Sequence, residues 1–228
     1  MPYKLMALVL TLAISAPAIA QTDLHCQFPI AGKAHELGDI VRPRTTEETK
    51  RMRQAPHGAK RPSRRKLQIN WAHGFQVFEE KAPYDEGLDG VWYAYCGYSP
   101  DLGLHLMMKQ DGDLFTGVMM EESTGKLLPG GENVLFSPDR KHYIALEQQN
   151  GRDGNTVKLY DSRGILLWNN GDHLDDISSL RLADDPDIRW DKKNRILAEA
   201  VTQNGKAFTV QLFTTADRQR KWVPLPTN

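Results

Sequence analysis

Apolar and polar residues alternate along the chain from residue 67 onward, as they do in half-buried β-strands. The alternation is clear over 67–71 and again over 104–108, and the run 91–98 is dense in β-forming residues. Turn sequences rich in glycine, proline and aspartate separate these runs. No heptad pattern and no long amphipathic helix pattern follows residue 67. The sequence therefore predicts an all-β domain over 67–228, built as an antiparallel meander.

The later half of this domain repeats itself at an interval of 54 residues. One unit covers 133–170 and an equivalent unit covers 187–224, and a fainter version of the same plan covers 92–129. The opening aromatics are Phe136 and Trp190, and the closing tryptophans are Trp168 and Trp222. An Asn-Gly pair lies between them in both units. Repeats of this length with short strands and tight turns are typical of blade-like sheets.

The Phe-Ser-Pro-Asp-Arg-Lys run at 136–141, followed by a strand pattern over 156–161, resembles the blade consensus of WD-repeat and Tol-type propellers. Arg140 stands where those blades usually have the glycine of an SPDG turn. The aromatic tract 92–98 together with this unit is similar to a group of small exported bacterial proteins. Both resemblances imply a fold and no activity. Because a propeller needs at least four blades, the expected architecture is a sandwich or an incomplete propeller.

Residues 1–20 have the features of a secretory signal peptide: Lys4, then an apolar run, Pro17 and an Ala-Ile-Ala pattern at 18–20. We expect the mature chain to begin at Gln21 and to reside in the periplasm or to be secreted. The apolar run is too short to span a bilayer, and no second long apolar run follows. The sequence therefore predicts no transmembrane anchor.

The segment 21–66 reads as an irregular extension. Thr45 and Glu48 have the spacing of a capping box, which predicts a short helix through Gln54, ended by Pro56. The turn-rich residues that follow, up to residue 65, predict an exposed or disordered loop.

Charge is distributed unevenly between this extension and the β domain. Ten Lys and Arg stand against two Glu over 42–66, whereas 17 Lys and Arg stand against 24 Asp and Glu over 67–228, a net charge of −7. The basic segment could lie on the acidic domain, or dock on an acidic protein, an anionic lipid or an envelope polymer. Because the chain is expected to be exported, no nucleic-acid partner is predicted.

Cys26 and Cys96 are the only two cysteines. In an oxidising compartment such a pair predicts one disulfide, which closes a loop of about 70 residues and stabilises the fold by roughly 4 kcal/mol. The alternatives are two free thiols or a lipid anchor at Cys26. The lipid anchor is disfavoured because Asp-Leu-His at 23–25 is not the small, apolar run that lipoprotein processing requires.

The strand around 92–98 is the first candidate binding surface, because outward-facing tyrosine and tryptophan are favoured at protein interfaces. About half of its aromatic side chains are expected in the core. The candidate residues are Trp92, Tyr93, Tyr95 and Tyr98. The histidines are expected at the surface, with His105 on the polar face of its strand.

The acidic stretch 172–187 is the second candidate site. It could be a solvated loop, a Ca²⁺ site or the metal centre of a hydrolase. Its binding candidates are Asp172, His173, Asp175 and Asp176, and the carboxylates for a cation are Asp172, Asp175, Asp176, Asp184, Asp185 and Asp187. Apart from Ca²⁺ at this stretch, no cofactor is predicted.

Catalytic motifs are missing: no nucleophile elbow, dinucleotide fingerprint or phosphate loop is present. The sequence therefore favours a non-catalytic exported protein-binding module, and in the sharpest version an inhibitor or immunity protein against an envelope-targeting enzyme. An envelope scaffold subunit and a metal-dependent hydrolase are the alternatives.

Overall fold

The fold is seen in a computed structural model in which antiparallel β-strands dominate. It describes residues 23–25, 46–81, 90–111, 114–149, 155–170, 180–182, 187–202, 204–215 and 219–225. These residues contain 17 strands and one short helix, and each strand pairing is antiparallel. The predicted all-β antiparallel meander is confirmed. The signal peptide and the acidic stretch up to residue 179 lie outside the described residues.

Twelve of the strands form three consecutive four-stranded meanders, which we call units 1, 2 and 3. Unit 1 comprises β5 (Val91–Ser99), β6 (Leu104–Asp111), β7 (Leu114–Glu121) and β8 (Leu127–Gly130). Unit 2 comprises β9 (Asn133–Phe136), β10 (His142–Gln149), β11 (Asn155–Asp161) and β12 (Leu166–Asn169). Unit 3 comprises β14 (Arg189–Trp190), β15 (Ile196–Thr202), β16 (Ala207–Thr214) and β17 (Arg220–Pro224). Units 2 and 3 therefore coincide with the two segments that repeat in the sequence.

The chain before unit 1 forms an N-terminal module of one helix and a three-stranded sheet. Its elements are α1 (Thr46–Gln54), β2 (Ala59–Ser63), β3 (Lys66–Trp71) and β4 (Gly74–Glu79). The helix lies where the sequence predicts it and ends just before Pro56, whose ring cannot continue a helix. Two short strands complete the sheets: β1 (Asp23–His25) pairs with β9, and β13 (Leu180–Leu182) pairs with β15.

Three apolar cores hold the module and the units together in a stack. The module core lies between the N-terminal module and unit 1, a second core lies between units 1 and 2, and a third lies between units 2 and 3. The alternation along β6 shows how one strand serves two cores. Met107 packs into the module core, whereas Leu106 and Met108 pack against unit 2. Because both faces of unit 1 are covered, β6 is buried along most of its length.

A buried ion cluster joins the N-terminal module to the edge strand β5. Arg61 donates hydrogen bonds to Glu48 at 2.9 and 3.3 Å, to Glu80 at 2.9 Å and to the Tyr93 carbonyl at 2.5 Å. Glu48 in turn accepts the Tyr95 backbone N–H at 3.0 Å. Burial lowers the pKa of Arg61, but the hydrogen bonds and charges of the two glutamates outweigh it and raise that pKa above its ordinary value. The cluster satisfies backbone groups that an unpaired strand edge would expose.

This cluster corrects one sequence prediction. The turn-rich residues up to 65 were expected to form an exposed loop, but Ala59–Ser63 forms β2 and the Arg61 side chain is only 11% exposed. The physical reason is the pair of carboxylates from α1 and the end of the β4 hairpin, which compensate the charge of Arg61 inside the protein. Neither carboxylate is close to Arg61 in the sequence, so a local pattern gave no signal of the pairing.

Candidate functional site

A surface pocket of about 540 Å³ opens where turns from the N-terminal module and from units 1 and 2 converge. Its inner lining is apolar and consists of side chains that also belong to, or pack against, the core between units 1 and 2. These side chains are Leu102, Leu104, Leu128 and Phe136. Its rim is polar and includes His57, Tyr98, Asp101, Glu121, Glu122 and Arg140. An apolar pocket with a few convergent polar groups is the usual form of a binding site.

Hydrogen bonds between the turns hold the walls of this pocket in place. The Glu122 backbone N–H donates to the Gly103 carbonyl at 2.9 Å, and the Glu122 carbonyl accepts from the Ala72 N–H at 3.2 Å. Arg140 donates from Nη1 to the Asp101 carbonyl at 2.8 Å, which joins unit 2 to unit 1. The pocket is therefore preformed by contacts between four separate turns.

A chain of polar side chains runs from the module core to the rim of the pocket. The Tyr95 hydroxyl lies 2.8 Å from Nδ1 of His105, and Nε2 of His105 contacts Oε2 of Glu122. The other oxygen of Glu122, Oε1, lies 3.0 Å from Nε2 of His57. Tyr98 packs on this chain, with its ring centroid 4.9 Å from that of His105. Glu122 thus connects a buried histidine to one that is half exposed.

Burial determines the protonation states of the polar side chains Tyr95 and His105. Burial raises the pKa of Tyr95, and the charge of Glu122 adds to the effect, so the phenol keeps its proton. Burial also lowers the pKa of His105, although its hydrogen bond to Glu122 opposes this, and the lowered pKa favours the neutral ring at pH 7. A neutral ring donates from one nitrogen only. We therefore assign Tyr95 O–H as donor to Nδ1, and Nε2–H of His105 as donor to the Glu122 carboxylate.

The contact between His57 and Glu122 differs from these hydrogen bonds. Its distance is that of an ion pair, but Oε1 of Glu122 is buried and has no hydrogen-bond donor among the described residues. The His57 side chain is 49% exposed, whereas that of Glu122 is 13% exposed. His57 therefore covers a carboxylate oxygen whose hydrogen-bonding capacity is unused within the described residues.

The aromatic residues predicted for binding are distributed over several environments. Trp92 and Tyr95 are buried in two different cores, and Tyr93 packs on Phe78 with ring centroids 5.2 Å apart. Of the four, only Tyr98 lines the pocket. The predicted binding role of this strand stays a prediction, now centred on Tyr98.

The predicted acidic site lies mostly beyond the described residues. Six of its candidates lie outside the described residues: Asp172, His173, Asp175, Asp176, Asp184 and Asp185. Asp187 is exposed and forms an ion pair with Arg189. Within the described ranges, no cluster of three His, Cys, Asp or Glu side chains could hold a metal ion.

Sequence reasoning missed the histidine and the glutamate at the centre of this site. The expectation of a surface position for His105 was wrong, because the residue is fully buried. One signal was available: His105 shares its strand face with Met107, and an apolar neighbour on the same face indicates burial. No comparable signal marks Glu122, whose position depends on how the β7–β8 turn meets the N-terminal module.

No protein-family model matches the chain, and neither a curated protein nor a solved structure matches it. In the part of the chain that the structure describes, no helix is long and apolar enough to cross a membrane.

Proposed function

We propose that this protein is an exported, non-catalytic binding module, and that the pocket beside Tyr98 and Glu122 is its binding site. The observation that carries the proposal is a preformed concave site with an apolar lining and a polar rim. The signal peptide predicted for residues 1–20 supports a location in the periplasm or outside the cell.

A protein partner fits the charge of this region. Three carboxylates lie on the rim, those of Asp101, Glu121 and Glu122, against one guanidinium, that of Arg140. A basic partner would be steered towards such a surface. In its sharpest form, the proposal makes the protein an inhibitor or immunity protein that blocks an envelope-targeting enzyme.

The test is capture of partners by the mature chain 21–228 from envelope and secreted fractions of the producing cell. Leu102→Asp places a charge in the lining of the pocket. Leu127→Asp is the matched control, because Leu127 is 43% exposed and does not line the pocket. We expect one stoichiometric partner that Leu102→Asp loses and Leu127→Asp retains. Failure to capture any partner, or equal retention by both variants, contradicts the proposal.

We also propose the predicted disulfide between Cys26 and Cys96. Cys96 is buried in β5, and β1 ends at His25, one residue before Cys26. β1 contacts β5, and the described residues contain no free cysteine. Peptide mapping of the unreduced mature protein should show the Cys26–Cys96 cross-link, whereas two alkylated cysteines would contradict it.

Two alternatives keep their own tests. A Ca²⁺ site or a hydrolase centre in the acidic stretch 172–187 predicts a higher melting temperature with Ca²⁺ or Zn²⁺ than with EDTA, because a ligand of the folded state stabilises it. Equal melting temperatures would exclude a tight site. A scaffold subunit predicts that the captured proteins are several envelope assembly components rather than one enzyme.

A further inference from the structure

The carboxylate of Glu122 is unusual among the acidic groups of the rim because one of its two oxygens is buried without a hydrogen-bond donor. Oε2 contacts the buried His105, whereas Oε1 has no donor among the described residues. A buried acceptor without a hydrogen bond is unfavourable, and more so when it is charged. This oxygen would therefore gain more from a new donor than a solvated carboxylate would.

His57 lines the same pocket as Glu122 and contacts Oε1. Its ring nitrogen Nε2 lies 3.0 Å from Oε1, and the side chain makes no other polar contact with the described residues. The ring is half exposed, and the backbone of the residue is anchored separately, through a hydrogen bond from Asn70 to its carbonyl at 2.8 Å. The imidazole can therefore rotate away from Glu122 while the turn keeps its place.

The surroundings of Glu122 suit one kind of ligand. The pocket wall beside it is apolar at Leu102, Leu128 and Phe136, and Tyr98 adds an aromatic ring. A long apolar stem that ends in a cation matches such a wall with a carboxylate at its end. The ring of Tyr98 and the three rim carboxylates attract a cation. These carboxylates outnumber the one guanidinium of the rim, that of Arg140, which already donates to the Asp101 carbonyl. A lysine side chain has this combination of an apolar stem and a compact charge with three donors.

We propose that the pocket receives a lysine side chain of the protein partner, whose ammonium group displaces His57 and donates a hydrogen bond to Oε1 of Glu122. This inference rests on the proposed function, because it names the group by which the partner enters the site. In the free protein, His57 occupies the place that the ammonium takes in the complex.

The test is an NMR titration of the mature chain with three capped amino acids: N-acetyl-lysine methylamide, its neutral norleucine counterpart and its arginine counterpart. We expect lysine to bind about tenfold more tightly than norleucine, the ratio typical of one charge-assisted hydrogen bond. Glu122→Gln should remove this preference. His57→Ala should increase the affinity for lysine severalfold, because the group that competes for Oε1 is gone.

Two controls separate this effect from a loss of fold. Glu199→Gln removes an exposed carboxylate on unit 3, far from the pocket in the stack, and should leave the lysine preference unchanged. Melting temperatures identify any variant that fails to fold. Glu122→Gln also alters the contact with His105, so a lost lysine preference in that variant has two explanations. His57→Ala keeps both Glu122 and His105, and its lysine affinity therefore tests the inference independently.

Three outcomes would overturn the inference. Equal affinities for lysine and norleucine would show an apolar pocket without cation recognition. Tighter binding of the arginine compound would exclude an ammonium as the preferred group. Weaker lysine binding by His57→Ala would make His57 a contact rather than a competitor. A different result contradicts the proposed function: no partner is captured, or the captured partner is retained equally by Leu102→Asp and Leu127→Asp.

Discussion

Arg140 and Asn194 occupy the same position in units 2 and 3, 54 residues apart, and both have a positive φ, at 57° and 56°. Each closes its turn in the same way. The Arg140 N–H donates to the Ser137 carbonyl at 2.8 Å, and the Asn194 N–H donates to the Asp191 carbonyl at 3.1 Å. Non-glycine residues rarely adopt this left-handed conformation. The repeat therefore extends from the sequence to the backbone conformation of its turns.

This conformation predicts the response of Asn194 to substitution. Asn194→Ala should lower the free energy of unfolding by about 1 kcal/mol, because alanine tolerates the left-handed region less well than asparagine, whereas Asn194→Gly should leave it unchanged or raise it. Urea denaturation measures both, with Lys193→Ala as the control in the same turn. Equal losses for alanine and glycine would instead assign the effect to the weak contact of the Asn194 side chain with the Asp139 N–H.

The ion cluster of the N-terminal module predicts that Arg61 contributes strongly to the stability of the fold. Arg61→Leu removes a largely buried cation that contacts both Glu48 and Glu80, which should cost about 3–5 kcal/mol of unfolding free energy. Arg65→Leu is the matched control, because Arg65 is exposed in the adjoining turn. Urea denaturation of the two variants decides the question. Similar small losses for both would mean that the cluster contributes little to stability.

His105 predicts a pH dependence of stability. Burial lowers its pKa in the folded protein below the ordinary 6.5, so the unfolded chain binds the proton more readily. The contribution of the neutral ring is complete above pH 6.5 and is lost as the pH falls through the lowered pKa of the folded state. Unfolding free energies measured over this range should fall with a slope of at most about 1.4 kcal/mol per pH unit from this group.

The variant His105→Gln isolates this contribution. Glutamine retains hydrogen-bonding groups but does not titrate, so its stability should depend less on pH than that of the wild type. Titratable groups that do not contact residue 105 contribute equally to both proteins and cancel in the comparison. Glu122 contacts His105 directly, so the comparison is repeated in a Glu122→Gln background. Identical pH dependence in the two proteins would rule out His105 as a source of the slope.

Gly117, in β7, packs directly against the backbone that links β8 to β9, where there is no room for a side chain. A Cβ atom on Gly117 would lie 2.1 Å from the carbonyl oxygen of Gly131 and 2.7 Å from its nitrogen, and backbone atoms cannot move aside easily. Gly117→Ala should therefore cost at least about 2 kcal/mol of unfolding free energy. Gly74→Ala should be milder, because its Cβ would meet only the Trp71 side chain, at 3.3 Å. Equal thermal midpoints for the two variants would contradict this.

Most strands of the three units and the single described helix were accessible to sequence reasoning because their signals are local, whereas β2 was predicted as a loop. Alternating residues marked strands such as β3 and β6, and the 54-residue interval marked units 2 and 3. Pro56 marked the end of α1, since its ring excludes a further helical turn. These features depend on side-chain period and backbone sterics within a few residues, so the sequence alone determined them.

The candidate site was not accessible in this way, because its parts come from turns that are distant in the sequence. His57 follows α1, Glu122 follows β7 and Arg140 precedes β10, and only the stacking of the module and the units brings them to one pocket. The same stacking buries His105 and places Arg61 between two carboxylates. Burial and charge compensation depend on neighbours in space, and for these residues only the tertiary structure decided which neighbours they have.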